Sequence, residues 1–415
     1  MKNNRAKITA LLLGSLAAIP VTSGAFTSGS DGSYGIINFT NISTTPLTNT
    51  LTLPVDGIFR CGSINIGTNC YVNFVPNSLN SPVYLLAQSN IVISGTIDVS
   101  GQSGTTNSAF PTVPGPGGFA GGAGGTPSAG IPAGAGQGPG GGSFANDDGN
   151  AVGAGGAFGT SGYGNLATNG NLLLVPLIGG SGGGGWSGAG VSSPGGSGGA
   201  GGGALILASS TSVIVNGLIL ARGGNNVCFN GVTFSGGGSG GGVRIVAPSV
   251  SMGGSIDVSG GTNSLESNGG YGGNGRVRIE TTSTVNAKVI GNGQNGAIPV
   301  VSYGRSFFVF PPASPQIYFL SAAGTTIPVG TTNSVSISLP SGSPASQMVT
   351  LFATNFLGTV PVQIVATPVT GAPYMTNIVL NFPNTNSFIQ TNVTINVPAG
   401  VPTQLNAYAN YYVQP

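Results

Sequence analysis

Four stretches of the chain repeat one pattern of apolar and polar positions. It reads VYLLAQSNIVISGTIDVSGQSG from Val83, ALILASSTSVIVNGLILARGGNN from Ala204 and VRIVAPSVSMGGSIDVSGGTN from Val243. The most divergent copy, VRIETTSTVNAKVIGNG, begins at Val277. Each copy holds an alternating strand, a short polar break, a second alternating run, a glycine corner and a third short strand ending in glycine. Alternation marks strands with one buried face, and regular glycine marks sharp bends. A unit of about twenty residues bent in this way cannot cover its own apolar face and must stack on its neighbours. The pattern therefore predicts an all-β parallel β-helix, one coil per repeat, each coil about 4.8 Å above the last. Its inward columns are expected to read Leu85/Ile206/Ile245/Ile279 and Ile97/Ile219/Ile256. An antiparallel sandwich with similar strands is the competing arrangement.

Glycine runs stand immediately before the first strand in three copies: GGAGGGALIL, GGGSGGGVRIV and GGYGGNGRVRI. A linker would fall between domains, whereas these runs fall at one phase of a repeating unit. Glycine locked to a phase implies backbone that approaches closely or adopts positive φ. The runs are expected to form extended polyglycine-type strands packed through weak Cα–H···O contacts, with a flexible Gly/Ser spacer as the competing reading. A long glycine-rich insertion, residues 102–202, separates the first coil from the second. Its apolar patch Leu172-Leu-Leu-Val-Pro-Leu-Ile178 is too hydrophobic for a free loop and is expected to dock on the stack. As a loop held by a rigid scaffold, the insertion is the candidate functional face.

The pattern changes at FPPASPQ, which divides a glycine-rich domain, residues 26–312, from a C-terminal one, 313–415. Strand-like runs follow at Gln316–Leu320, Ser334–Leu339, Met348–Thr354, Val360–Thr367, Asn377–Phe382, Ser387–Val397 and Gln404–Tyr412. Short strands so spaced, with turn residues between them, predict an immunoglobulin-like β-sandwich.

Residues 1–25 read as a secretory signal: Lys2, Arg5 and Lys7 precede an apolar stretch and the small-residue site Ser23-Gly24-Ala25. Cleavage after Ala25 leaves seven Lys/Arg against eight Asp/Glu, a net charge of −1. Such sparse charge argues against nucleic acid or anionic membrane as partners, because both require clustered Lys and Arg. No later stretch is long enough to span a bilayer. The product is expected outside the cell or on its surface. The expected partners are extracellular polysaccharide, the cell surface or further copies of the chain.

The segments FTSGSDGS, LTLPVDGIF, NSPVYLLAQSNIVISGTIDVSG, GPGGF, LLLVPLIGGSGGGG and GGSGGGVRIV resemble, in that order, a widespread group of uncharacterised glycine-rich exported bacterial proteins. The resemblance covers roughly residues 26–300 and implies export from a bacterium and the repeat fold, but no activity. More distantly, the coils are similar to the parallel β-helices of adhesins and polysaccharide lyases. The glycine runs resemble polyglycine bundles at some phage adhesin tips.

The chain contains no histidine. That removes the usual general base, the Ser-His-Asp triad and most zinc sites. G-x-S-x-G occurs at Ser181, Ser197 and Ser239, as a glycine-serine background produces by chance. Asp98 and Asp257 share a repeat position with Leu220 between them, which would place them about 9.5 Å apart, at the upper edge for an inverting glycosidase pair. Arg222 would lie diagonally between them. The competing role for both is a turn aspartate. Arg244 and Arg278 share an outward column with Glu280 and suggest either a lyase-like site or a surface charge network. Asp147-Asp148-Gly149-Asn150 offers two carboxylates to calcium, few for that ion, so an ordinary turn is favoured and neither metal nor cofactor is expected. Trp186, in GGGGWSG, could stack on a sugar ring or wedge the glycine packing, and Phe119, Tyr163 and Tyr271 have similar settings. Cys61 and Cys70 are near enough in sequence for a disulfide, with two buried thiols as the alternative, and Cys228 is left over.

Together these features point to an exported, non-catalytic structural or adhesive protein. A polysaccharide-binding or polysaccharide-degrading β-helix is the alternative. Ice binding would suit uncharged Thr/Ser/Asn faces but lacks a regular Thr-x-Thr column.

Overall fold

Short β-branched runs bounded by glycine and serine form strands that, as far as residue 304, pair almost wholly in parallel. In the computed structural model of the chain, residues 26–409 are described, except 107, 127–128, 146–151, 188–194, 230–231, 234, 263–269, 293, 295–296, 311–314, 329–334, 336, 341, 357, 370, 383–387 and 399. The expected signal segment, 1–25, and the expected domain boundary at 312–313 lie outside the described residues.

The first strands are β1 (Gly35–Phe39), β2 (Leu47–Thr52), β3 (Ile58–Ile66), β4 (Cys70–Val75), β5 (Val83–Ala87), β6 (Ile91–Ile93) and β7 (Thr96–Asp98). After the insertion come β8 (Ala204–Ser209), β9 (Ser212–Val215) and β10 (Leu218–Leu220), then the short hairpin β11 (Cys228–Phe229) and β12 (Val232–Thr233). They are followed by β13 (Gly242–Val246), β14 (Ser249–Met252), β15 (Ser255–Asp257), β16 (Arg276–Glu280), β17 (Lys288–Ile290) and β18 (Val300–Gly304).

Parallel pairing arranges these strands in ladders that follow chain order. One ladder runs β3–β5–β8–β13–β16–β18 and another β1–β3–β6–β9–β14; the long β3 belongs to both and joins them into a 10-stranded sheet. The last, β2–β4–β7–β10–β15–β17, is a 6-stranded sheet. Ile97, Ile219 and Ile256 pair in register as expected, with Val72 and Val289 extending the column. The other column needs one correction. Leu85 pairs with Leu207, and Leu207 with Ile245, whereas Ile206 sits opposite Tyr84 and Arg244 on the other face. A slip of one residue exchanges faces in a strand. Burial of these aliphatic columns between the sheets contributes about 1.5–3 kcal/mol per side chain. The corners stack as tightly as the strands: a Cβ on Gly95, Gly217 or Gly254 would come under 3.0 Å from a carbonyl of the preceding corner.

The outer face of the first ladder is covered too. Leu86, Ile206, Ala208 and Val246 pack under Phe158, Leu174 and Leu177 of the insertion and under Val309. The apolar patch thus docks as its composition requires, with only Leu172 strongly exposed.

The glycine runs belong to the folded body. Residues 197–204 donate successive N–H groups to three different neighbours, over 2.7–3.0 Å, and Gly195 donates in the same phase. Gly195, Gly198, Gly201 and Ala204 reach the carbonyls of Gly125, Gly122, Phe119 and Pro116. Ser197, Ala200 and Gly203 reach Thr105, Gln102 and Val99, while Gly199 and Gly202 reach Gly236 and Ser239. A β-strand, with period two, bonds on two sides; a period of three belongs to the extended polyproline II-type helix, which has no internal hydrogen bonds. The same period recurs where Gly180, Gly183 and Trp186 donate to Gly202, Gly199 and Gly196, while Gly182 and Gly185 donate to Gln137 and Gly134. Ordinary N–H···O=C bonds therefore hold these rods, in addition to the weak Cα–H···O contacts expected, since a Cβ on Gly198 or Gly238 would point directly at a neighbouring carbonyl oxygen. Space rather than positive φ demands the glycine. A Cβ on Gly183, Gly198 or Gly238 would lie under 3.0 Å from a neighbouring backbone carbonyl, and none of the three has positive φ.

Beyond residue 314 the pairing becomes antiparallel. β19 (Gln316–Ala322), β20 (Thr325–Thr326), β21 (Ser346–Thr354) and β24 (Phe388–Asn396) form one sheet; β22 (Gly358–Pro368), β23 (Tyr374–Phe382) and β25 (Thr403–Ala409) form the other. Val349, Leu351, Ile364, Leu380 and Ile395 fill the space between them. The strand expected at Ser334–Leu339 is not formed at its described residues, 335 and 337–339. This pair of sheets touches the glycine rods where Gln137 Nε2 donates to Thr367 Oγ1 (2.7 Å) and the Tyr408 ring stands edge-on to Phe119 at 4.5 Å.

Candidate functional site

The outer face of the 6-stranded sheet carries the candidate carboxylates. Pairing places Asp98, Leu220 and Asp257 side by side on β7, β10 and β15, as the repeat predicts. Each carboxylate caps its own corner: Asp98 Oδ1 accepts from the Ser100 N–H (2.7 Å), and Asp257 Oδ1 from the Ser259 N–H (3.0 Å). The remaining oxygens are also engaged. Asp98 Oδ2 accepts from the Tyr71 hydroxyl, and Asp257 Oδ2 pairs with Arg222 Nε at 2.7 Å. Arg222 thus sides with Asp257 and does not bridge the two acids; its backbone N–H donates to Ser100 Oγ. Burial first, then the bond to Asp98, holds the Tyr71 hydroxyl well above its ordinary pKa, so it stays a donor. Tyr71 was missed because its rung, CYVNFV, follows a longer corner, Gly67-Thr68-Asn69, than the aligned copies have. No group of three or more His, Cys, Asp or Glu side chains is gathered among the described residues. A recess of about 330 Å³ adjoins this face, lined by Pro46, Asn69, Tyr71, Thr96 and Leu218.

Arg244, Arg278 and Glu280 require a correction. They do lie on the face opposite the aliphatic columns, but the second layer covers them, and all three are buried. Arg278 Nε donates to Glu280 Oε1 at 2.8 Å, and Glu280 Oε2 accepts the Ser306 N–H at 2.8 Å. Arg244 reaches the carbonyl of Phe308 (2.8 Å), stacks over the Phe308 ring (4.9 Å) and stands 4.0 Å from Glu280. Burial lowers the Arg244 pKa to about 10 against the opposing pull of Glu280. The cluster is a clasp: it ties the strands to residues 306–309, which lead towards the antiparallel sheets. No open surface remains on it for a polysaccharide.

The serines of the G-x-S-x-G matches, Ser181, Ser197 and Ser239, are buried among the rods. Their hydroxyls substitute for backbone partners, as where Ser239 Oγ accepts the Ser181 N–H at 2.7 Å. Trp186 is half-buried at the end of the 180–186 rod, its backbone N–H donating to the Gly196 carbonyl. Tyr163 and Tyr271 meet edge to face at 5.8 Å. The Asp147–Asn150 loop lies outside the described residues.

No family model, curated protein or solved structure matches the chain.

Cys61 and Cys70 are not bonded to each other. Both are free thiols facing the aliphatic core from different sheets, Cys61 on β3 and Cys70 on β4. Cys228 opens β11, and its side chain lies outside the described residues. Burial pushes the Cys61 thiol from 9.0 up to about 11. A raised acid pKa means that the fold favours the neutral thiol. That stabilisation is fully present below about pH 9 and is lost as the pH rises through about 11. Both thiols should resist alkylation in the native protein at neutral pH and react after unfolding without reductant. A Cys61–Cys70 cross-linked peptide in the non-reduced digest would contradict this.

Proposed function

We propose that this is an exported, non-catalytic structural or adhesive protein of the bacterial surface or surroundings. In this reading the parallel ladders form a β-helix, and the antiparallel sheets form an immunoglobulin-like sandwich that presents it or joins it to neighbours. The observation that carries the proposal is the hydrogen-bonded glycine body, in which successive N–H groups of residues 197–204 bond three neighbours. Such a body is rigid and nearly free of ionisable groups, which suits display and attachment. The motif resemblance to glycine-rich exported proteins supports the placement outside the cell.

A second function, polysaccharide binding or cleavage, rests on the paired register of Asp98 and Asp257 beside Tyr71 and Arg222. One experiment separates the two. Protein lacking residues 1–25 is incubated with a panel of polysaccharides and with bacterial cells. Retention on cells, with neither glycan retention nor release of reducing ends or unsaturated sugars, is expected. Turnover that disappears in Asp257→Asn would establish the second function, and glycan retention lost only in Trp186→Ala would place the contact at the rod end.

A further inference from the structure

We infer that the N-terminal end of the stacked strands is an interface for the same end of a second copy of this chain. Among the described residues two edges are open there: β1 is hydrogen-bonded only to β3, and β2 only to β4. Their outer N–H and C=O groups form a template for another strand, and natural edges are normally guarded by charge, proline or irregularity. These guards are nearly absent. From Gly32 to Val55 there is no charged residue. Pro46 and Pro54 stand outside β2, and the one irregularity in β1, at Gly35/Ile36, leaves Ile36–Phe39 in regular register.

The same end carries apolar side chains in water: Ile36 is 70 % exposed, Leu47 48 % and Tyr34 46 %. Ile42 is fully exposed on an ordered connection, because Asn41 Nδ2 donates to Thr45 O (2.8 Å) and Asn69 O (3.0 Å), while Asn69 Nδ2 donates to Ser43 O. An ordered loop that holds isoleucine in solvent beside two bare edges has the make-up of an unfilled contact.

The opposite end is dressed differently, which decides the occupant. Lys288 heads β17, Arg305 follows β18, and Thr281 and Thr282 donate their hydroxyls to Pro248 O just before β14. β18 runs straight into the segment held by Arg244. Head-to-tail stacking would set an uncharged apolar end against this charged one. The uncharged end matches only itself, and an open strand edge is self-complementary about a two-fold axis. The first described residues lie elsewhere, with Phe26 against Phe307 and Ser28 bonded to Ala87 O.

The inference rests on the reading of the protein as a structural body, but its test is separate. Protein lacking residues 1–25 is studied by sedimentation equilibrium across a dilution series. The expected species are monomer and dimer only. Ile36→Lys combined with Leu47→Lys should weaken the dimer at least about tenfold with an unchanged melting temperature, since charge on an edge opposes pairing and both side chains are exposed. Ile298→Lys, near the other end, should leave it intact. Hydrogen exchange at β1 should slow as concentration rises. A strictly monomeric protein, an open-ended polymer, or a dimer that survives the double substitution would each overturn the inference without touching the function proposed above. Glycan turnover would overturn that function and leave the dimer standing.

Discussion

Gly238→Ala is expected to destabilise the protein by about 3 kcal/mol, as overpacking combined with a lost backbone hydrogen bond. Gly238 lies where rods cross: its N–H bonds Gly224 O, its carbonyl accepts from Gly261, and a Cβ would press on Ala200 O. Neither partner can yield, because both are backbone held by other rods. The matched control is Gly62→Ala in β3. There the Cβ would meet Gly35 O at an ordinary 3.7 Å and φ is not positive. At such a site alanine costs little and can stabilise by about 0.4–1 kcal/mol through the unfolded chain. Denaturant midpoints of the two variants measure the difference. Equal midpoints would mean that the rods are not packed as described.

Glu280→Gln is expected to cost about 3–5 kcal/mol, the range for breaking a buried ion pair from one side. The substitution keeps the shape and an acceptor for Ser306 but leaves Arg244 and Arg278 buried without a counter-charge. Because the cluster is buried, the loss should change little between low and high salt, unlike that of an exposed pair. Arg60–Asp56, an exposed pair at 2.8 Å, supplies the contrast: Asp56→Asn should cost less than about 1 kcal/mol and depend on salt. Equal costs for the two substitutions would show that Glu280 is not the keystone of the clasp.

How far the sequence disclosed this arrangement depends on what each residue's neighbours do. The column Ile97/Ile219/Ile256 was legible because its strands alternate and its glycine corners fix the phase. Ile206 was misplaced because ALILAS is buried on both faces and carries no alternation to set the register. Arg244 and Arg278 were read as outward for the same reason: the strand pattern gives the face, but not the insertion that later covers it. The rungs of β1 to β4 lie outside the aligned copies, and Tyr71 was missed with them. In the rods the phase of the glycines was visible, but their period of three was not, since it resides in N–H directions and leaves no side-chain trace. The C-terminal strands were mostly legible, Val360–Thr367 for instance becoming β22, because two-sided sheets alternate cleanly.

Amide hydrogen exchange over residues 180–186, 195–204 and 236–241 tests the central claim most directly. If these glycine rods are hydrogen-bonded members of the folded body, their amides should exchange as slowly as those of β8 and β13, and speed up together on unfolding. Exchange at the rate of an unstructured peptide, while β8 and β13 remain protected, would mean that the glycine runs are spacers after all.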